Sequence, residues 1–157
     1  MDANLINPFI ESTQKVLSTM AQTDSTADKP YLKNNTMTWG VVTGIIGMAG
    51  DEYSGNMILS FDEPCILDIV SKMLMEQFTS LTPDVIDAVG EITNMITGGT
   101  KNLLSDQGMK FEMATPLVIS GRNVELKQLS PASVLVIPFE TSAGKFVVEA
   151  NLAKRKQ

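Results

Sequence analysis

Thr82-Pro83-Asp84-Val85-Ile86-Asp87-Ala88-Val89-Gly90-Glu91-Ile92-Thr93-Asn94-Met95-Ile96-Thr97-Gly98-Gly99-Thr100-Lys101-Asn102-Leu103-Leu104 is the stretch around which the rest of the chain has to be arranged. Thr82 suits an N-cap, Pro83 a first helical position where its missing amide costs nothing, and Asp84 the positive end of a helix. A long helix is predicted to start here. At about 100° per residue, Val85, Val89, Ile92, Met95, Ile96 and Leu103 fall on one side. Asp87, Glu91, Asn94 and Gly98 share a narrow stripe on the opposite side. The apolar side needs a sheet to cover it, and the polar stripe is left for water or a partner.

A solvated outer face is the ordinary explanation of such a stripe, but its composition is unusual for one. Asn competes for nearby backbone groups in a helix, and Lys, Glu or Gln would fill a wet face at lower cost. Gly90, Gly98 and Gly99 each cost up to about 1 kcal/mol relative to Ala in a helix interior, which suggests close approach of another backbone. Glu91 and Asn94, three residues apart, can act on one target. The carboxylate can hold a partner's cation, and the amide can both accept from and donate to a water molecule.

Working outward, Asp62 can cap a preceding helix with Pro64 in its first turn and Ile66, Ile69, Val70, Met73 and Leu74 on its buried side. Phe78 to Leu81 joins the two helices. Before them, Trp39 to Met48, a turn at Ala49 to Glu52, and Tyr53 to Phe61 read as an antiparallel hairpin, with Tyr31 to Thr38 as an earlier extended segment. Leu5, Phe9, Val16, Leu17 and Met20 recur at helical spacing from about Ala3 to Ala21, although Asn7 could be the cap because Pro8 is tolerated only near a helix start. After Asp106-Gln107-Gly108 the pattern turns to strands at about Lys110 to Ile119, Asn123 to Leu129, Val134 to Glu140 and Lys145 to Leu152. Ser142-Ala143-Gly144 is a hairpin turn, and bulges, edges or strand ends are expected beside Pro116, Pro131 and Pro138. The predicted fold is α+β, a mostly antiparallel sheet packed against two or three helices.

Composition narrows the chemistry. The 157 residues are 43% hydrophobic and 19% charged, the profile of one soluble domain with a real core. Twelve basic and eighteen acidic residues give a net charge of -6, with no basic face or aromatic platform for nucleic acid. With no histidine and one cysteine, a structural zinc site and a histidine-based triad are excluded. Cys65 lies in an apolar run and reads as a buried reduced thiol. The glycines from Gly40 to Gly55 match neither Gly-x-Gly-x-x-Gly nor the Walker pattern, the methionines sit at core spacings, and carboxylates such as Asp84, Asp87 and Glu91 lack a sugar platform. No signal peptide or membrane span is visible, so a cytoplasmic protein is expected.

Asp87-x-x-x-Glu91-x-x-Asn94-x-x-x-Gly98 resembles the signature helix of the CheC/CheX/FliY family of chemotaxis phosphatases. The surrounding chain resembles the single-site CheX branch, from Asn7-Pro8-Phe9 through Gly44-Ile45-Ile46-Gly47-Met48-Ala49-Gly50 and Tyr53-Ser54-Gly55-Asn56-Met57 to the terminal strands, with no internal duplication. The resemblance implies one CheX-like domain over residues 1–157 that removes the aspartyl phosphate of a CheY-like response regulator in chemotaxis or another two-component pathway. It gives Asn94 the placing of the attacking water and Glu91 a contact with the regulator's lysine. Mg2+ is then expected in the regulator, and no cofactor in this chain. It also implies a homodimer whose sheets join across the subunit boundary, with a late edge strand as the candidate element. Asp87 and Gly98 are left as partner-contact or helix-packing positions. The rival expectation is a non-catalytic adaptor or dimeric binding module for a receiver domain.

Overall fold

The glycine-spaced, β-branched run before Asp51 and the run after Glu52 pair residue for residue, from Ala49 opposite Ser54 to Val42 opposite Phe61. They form the central hairpin of the computed structural model, which describes residues 3–127 and 133–155. The chain runs α1 (Ala3–Ala21), β1 (Thr26–Ala27), β2 (Tyr31–Leu32), β3 (Val42–Gly50), β4 (Tyr53–Phe61), α2 (Glu63–Leu74), α3 (Pro83–Asp106), β5 (Phe111–Met113), β6 (Leu117–Ser120), β7 (Leu135–Glu140) and β8 (Lys145–Lys154). The sheet order is β1-β7-β8-β4-β3-β5, with β2 also on β7 and β6 also on β3. Every pairing is antiparallel. The predicted α+β architecture holds, with three helices against one face of the sheet.

Alternation along the strands sorts side chains onto two faces. Val42, Ile46 and Met48, Met57, Leu59 and Phe61, Phe146 and Val148, and Ile137 and Phe139 join the helices in one core. Phe61, Phe146 and Phe139 are cross-strand neighbours and stack with centroids 5.2 and 4.9 Å apart. The opposite face is buried as well. Thr43, Ile45, Ile58, Ser60, Val136, Val147, Glu149 and Asn151 lie there. Gly40 N–H donates to Ser60 Oγ at 2.8 Å and Lys33 Nζ to Glu149 Oε1 at 2.9 Å, so residues 33–40 lie over that face. Burial on both faces explains why the hairpin strands alternate only in part.

Several boundaries differ from the sequence reading. The alternative cap at Asn7 is not used: the first helix runs Ala3–Ala21 as expected, with Pro8 inside it, and the carbonyl deprived of its helical N–H is that of Asn4, an exposed first-turn residue. Met20 and Leu74, expected on buried stripes, are exposed at the ends of their helices. The segment from Lys110 to Ile119 is two short strands, β5 and β6, with Pro116 at the break and β3 as their common partner. The segment from Tyr31 to Thr38 shrinks to two residues. Asn123 to Leu129 is no strand among the described residues: Gly121 and Asn123 take positive φ, leaving a single bridge from Glu125 to Met37. Leu129 and Pro131 lie outside the described residues. Pro138 sits inside β7, and its carbonyl accepts from Asp28 N at 2.8 Å. Its missing N–H would point at the same edge, where the partner strand is interrupted between β1 and β2.

The helix starts follow their caps. Asp62 accepts from Cys65 N at 2.9 Å and Thr82 from Val85 N at 3.3 Å. Asp62 also accepts from Lys145 N at 2.9 Å, which ties the α2 start to the first residue of β8. Cys65 is buried with Sγ 3.7 Å from Thr141 Oγ1. Burial pushes its thiol up to about 12; the Thr141 hydrogen bond opposes this and the charges of Asp62 and Asp68 add to it. That leaves a packing thiol at neutral pH, as its apolar setting in the sequence suggested. Among the described residues, no helix is long and apolar enough to cross a membrane.

Candidate functional site

Three contacts orient α3. Gly44 on β3 leaves room for Thr93, where any Cβ would collide with the threonine side chain. The Ser12 hydroxyl of α1 donates to Ile96 O at 2.6 Å and closes onto Gly99. On the other flank Val118 of β6 comes within 3.5 Å of where a Gly90 Cβ would stand. The helix therefore buries Val85, Ala88, Val89, Ile92, Ile96 and Leu104, together with Thr93, Thr97 and Thr100. Each threonine returns its hydroxyl to its own helix, to the carbonyls of Val89, Thr93 and Ile96 at 2.7, 2.5 and 2.8 Å. Their methyl groups are then free to pack.

What remains outward is the polar stripe. Asp87, Glu91 and Asn94 are all exposed, and none of their side chains has a hydrogen bond or ion pair to another described residue. Adjacent turns of a helix hold Glu91 and Asn94 about 5–6 Å apart at Cβ, close enough to address one group on a partner. Both side chains keep their full hydrogen-bonding capacity: the carboxylate accepts, and the amide accepts and donates. The expectation that all three glycines admit a neighbouring backbone needs correction. Gly99 admits the Ser12 side chain, a Cβ built on Gly90 would make only an ordinary contact with Val118, and nothing lies within 4 Å of a Cβ built on Gly98.

The stripe lies on the exposed outer face of α3. A cavity of about 420 Å³ lies elsewhere, on the far face of the sheet, bordered by Lys33, Thr36, Ile58, Leu126, Glu149 and Asn151. The unpartnered side chains of α3, not this cavity, match the sequence motif. The far face holds a feature the sequence reading missed, the buried Lys33–Glu149 ion pair at 2.9 Å. Burial raises the Glu149 carboxyl above the ordinary glutamate range, while the Lys33 hydrogen bond and charge pull it down. In Phe146-Val147-Val148-Glu149 the alternation points Glu149 away from the helices, which reads as solvent. Only the covering loop reverses that.

The fold and stripe together define a class: a two-layer α+β protein that presents a Glu/Asn pair outward from the long helix of its helical layer. The family model described as chemotaxis phosphatase CheX matches residues 42–140, and the chain belongs to that family. Over 98% of its length it is 42% identical to the CheC-like superfamily protein from Shewanella sp. PV-4, covering 99% of that chain with a TM-score of 0.90. It is 28% identical over 129 residues to the CheY-P phosphatase CheX of Thermotoga maritima, 81% of this chain and 82% of that one. The CheX of Borrelia burgdorferi, solved in a complex with CheY, BeF3 and Mg2+, is 27% identical over 96% of this chain and 97% of that one, with a TM-score of 0.76.

Proposed function

We propose that the chain hydrolyses the aspartyl phosphate of a CheY-like response regulator docked on the exposed stripe of α3. The observation that carries this reading is the pairing of Glu91 and Asn94, side by side, exposed and with side chains that have no partner among the described residues. An aspartyl phosphate is a mixed anhydride, so hydrolysis needs little beyond a water held in line with the leaving carboxylate and charge stabilisation on the phosphoryl oxygens. Asn94 places that water: its amide oxygen accepts from the water while its N–H2 remains available to a phosphoryl oxygen. The water oxygen bonds to phosphorus, the bond to the aspartate oxygen breaks, the carboxylate leaves with the electron pair, and the water's proton passes to phosphate or solvent. Glu91 holds the regulator's lysine in a charge-assisted contact and fixes the dock. The regulator supplies Mg2+, which neutralises charge on the phosphoryl group.

This division of labour suits a chain without histidine and with its one cysteine buried. It also fits the relatives, one named a CheY-P phosphatase and another solved with CheY. Asp87, one turn before Glu91, is assigned to the rim of the dock. The protein is further proposed to act as a homodimer. Because β8 is interior and β7 is covered by β1 and β2, the late strands open at an edge among the described residues are β5 and β6.

The test is decay of phosphate on a panel of purified, phosphorylated response regulators with and without this protein. Acceleration for a CheY-like member supports the reading. Binding without acceleration would make the protein an adaptor, and no effect on any receiver would overturn both.

A further inference from the structure

Glycine inside a helix normally has a local cause: a positive φ, a terminal cap, or a neighbour that leaves no room for a Cβ. Gly98 has none of these. It lies about two turns from the end of α3, outside the positions of positive φ, and a Cβ built on it meets nothing within 4 Å. Gly99, its neighbour, is explained by Ser12, and a Cβ on Gly90 would stand 3.5 Å from Val118, in ordinary contact. In helical projection Gly98 falls between Glu91 and Asn94, about 20° from the first and about 40° from the second. It stands one turn, about 6 Å, beyond Asn94 along the axis. The bare helix backbone thus lies in line with the stripe, one turn past Asn94.

Resting on the proposed function, we propose that Gly98 is the clearance point of the docking surface. The bound receiver domain comes into van der Waals contact with the α3 backbone there, and this close seating lets the Asn94 amide reach the phosphoryl group. A side chain at 98 would hold the partner off while leaving this protein's own packing untouched. Glycine is the least favoured helix residue apart from proline, so its removal should strengthen the fold and weaken the dock together. A purely structural role would move both in the same direction.

The experiment compares Gly98→Ala, Gly98→Leu and Asn94→Ala with the wild-type protein. It uses thermal denaturation, binding to a CheY-type receiver domain loaded with beryllofluoride and Mg2+, and phosphate loss from the phosphorylated receiver. Gly98→Ala should raise the denaturation midpoint by about 2–4 °C. Gly98→Leu should remain folded and weaken receiver binding by about tenfold to a hundredfold, the scale of one overpacked contact. Wild-type binding by Gly98→Leu, or a loss of affinity that parallels a loss of stability, overturns the clearance role. If Asn94→Ala abolishes turnover in that case, the phosphatase reading stands alone. If the wild-type protein neither binds nor dephosphorylates any receiver, the phosphatase reading fails and the clearance role fails with it.

Discussion

Thr93 shows how a residue can mislead at the level of sequence. Its hydroxyl counts as polar, yet it is satisfied by Val89 O at 2.7 Å and the side chain is fully buried over Gly44. Thr97 and Thr100 do the same one and two turns on, so a third of the buried face of α3 is invisible to a hydrophobic count. The exposed stripe was legible because Asp87, Glu91 and Asn94 follow the helical period with no apolar residue among them. Gly44→Ala should cost about 1–3 kcal/mol in chemical denaturation, since the added methyl meets Thr93. Thr93→Ala in the same chain should restore part of that loss, and strictly additive effects would show that the two residues do not share the space. Glu91→Ala should fold normally and weaken receiver binding about thirtyfold or more, with turnover falling alongside, as expected for loss of a charge-assisted interfacial contact. Unchanged affinity by titration calorimetry would remove Glu91 from the dock.

Among the elements, the two central strands and the helices were readable from period and caps, because Asp62 and Thr82 each sit just before an apolar repeat. The short edge strands were not. β1, β2, β5 and β6 have two to four residues each, too few to establish alternation, and their limits depend on tertiary partners and on Pro116 and Pro138. Nor could the sequence show the loop that buries Glu149 with Lys33. Replacing Lys33 with Met should cost about 3–5 kcal/mol near neutral pH, because it leaves a buried carboxylate without its counter-ion. The pH dependence has a definite sign. With its folded-state pKa raised, Glu149 binds a proton more readily in the folded protein than in the unfolded chain, so its contribution to stability falls as pH rises from the ordinary glutamate range through the folded value. Urea denaturation across pH should show the Lys33→Met deficit shrinking in acid, and Glu149→Gln should abolish that component. A deficit independent of pH would mean that the pair acts through packing alone.

For the whole molecule, the sheet has edges at β1/β2 and β5/β6. Leu117 at one edge is 61% exposed and Leu32 at the other 65%. Open edges with apolar side chains invite pairing with another chain, and the proposed homodimer would cover one of them. Sedimentation equilibrium at micromolar concentration should give about twice the chain mass, and a monomer throughout that range would contradict the dimer. The proposed function assigns the metal to the partner, since one carboxylate and one amide on an exposed helix face provide few ligands for Mg2+. Calorimetry on the isolated protein should therefore find no tight Mg2+ site that disappears in Glu91→Ala, while hydrolysis of the phosphorylated regulator requires the ion. The central claim is that Asn94 places the attacking water, and the most direct measurement is single-turnover loss of phosphate from a phosphorylated CheY-like regulator at saturating protein. Asn94→Ala is predicted to slow that step by about 10² or more with far less effect on affinity; a rate near that of the wild-type protein would contradict the assignment.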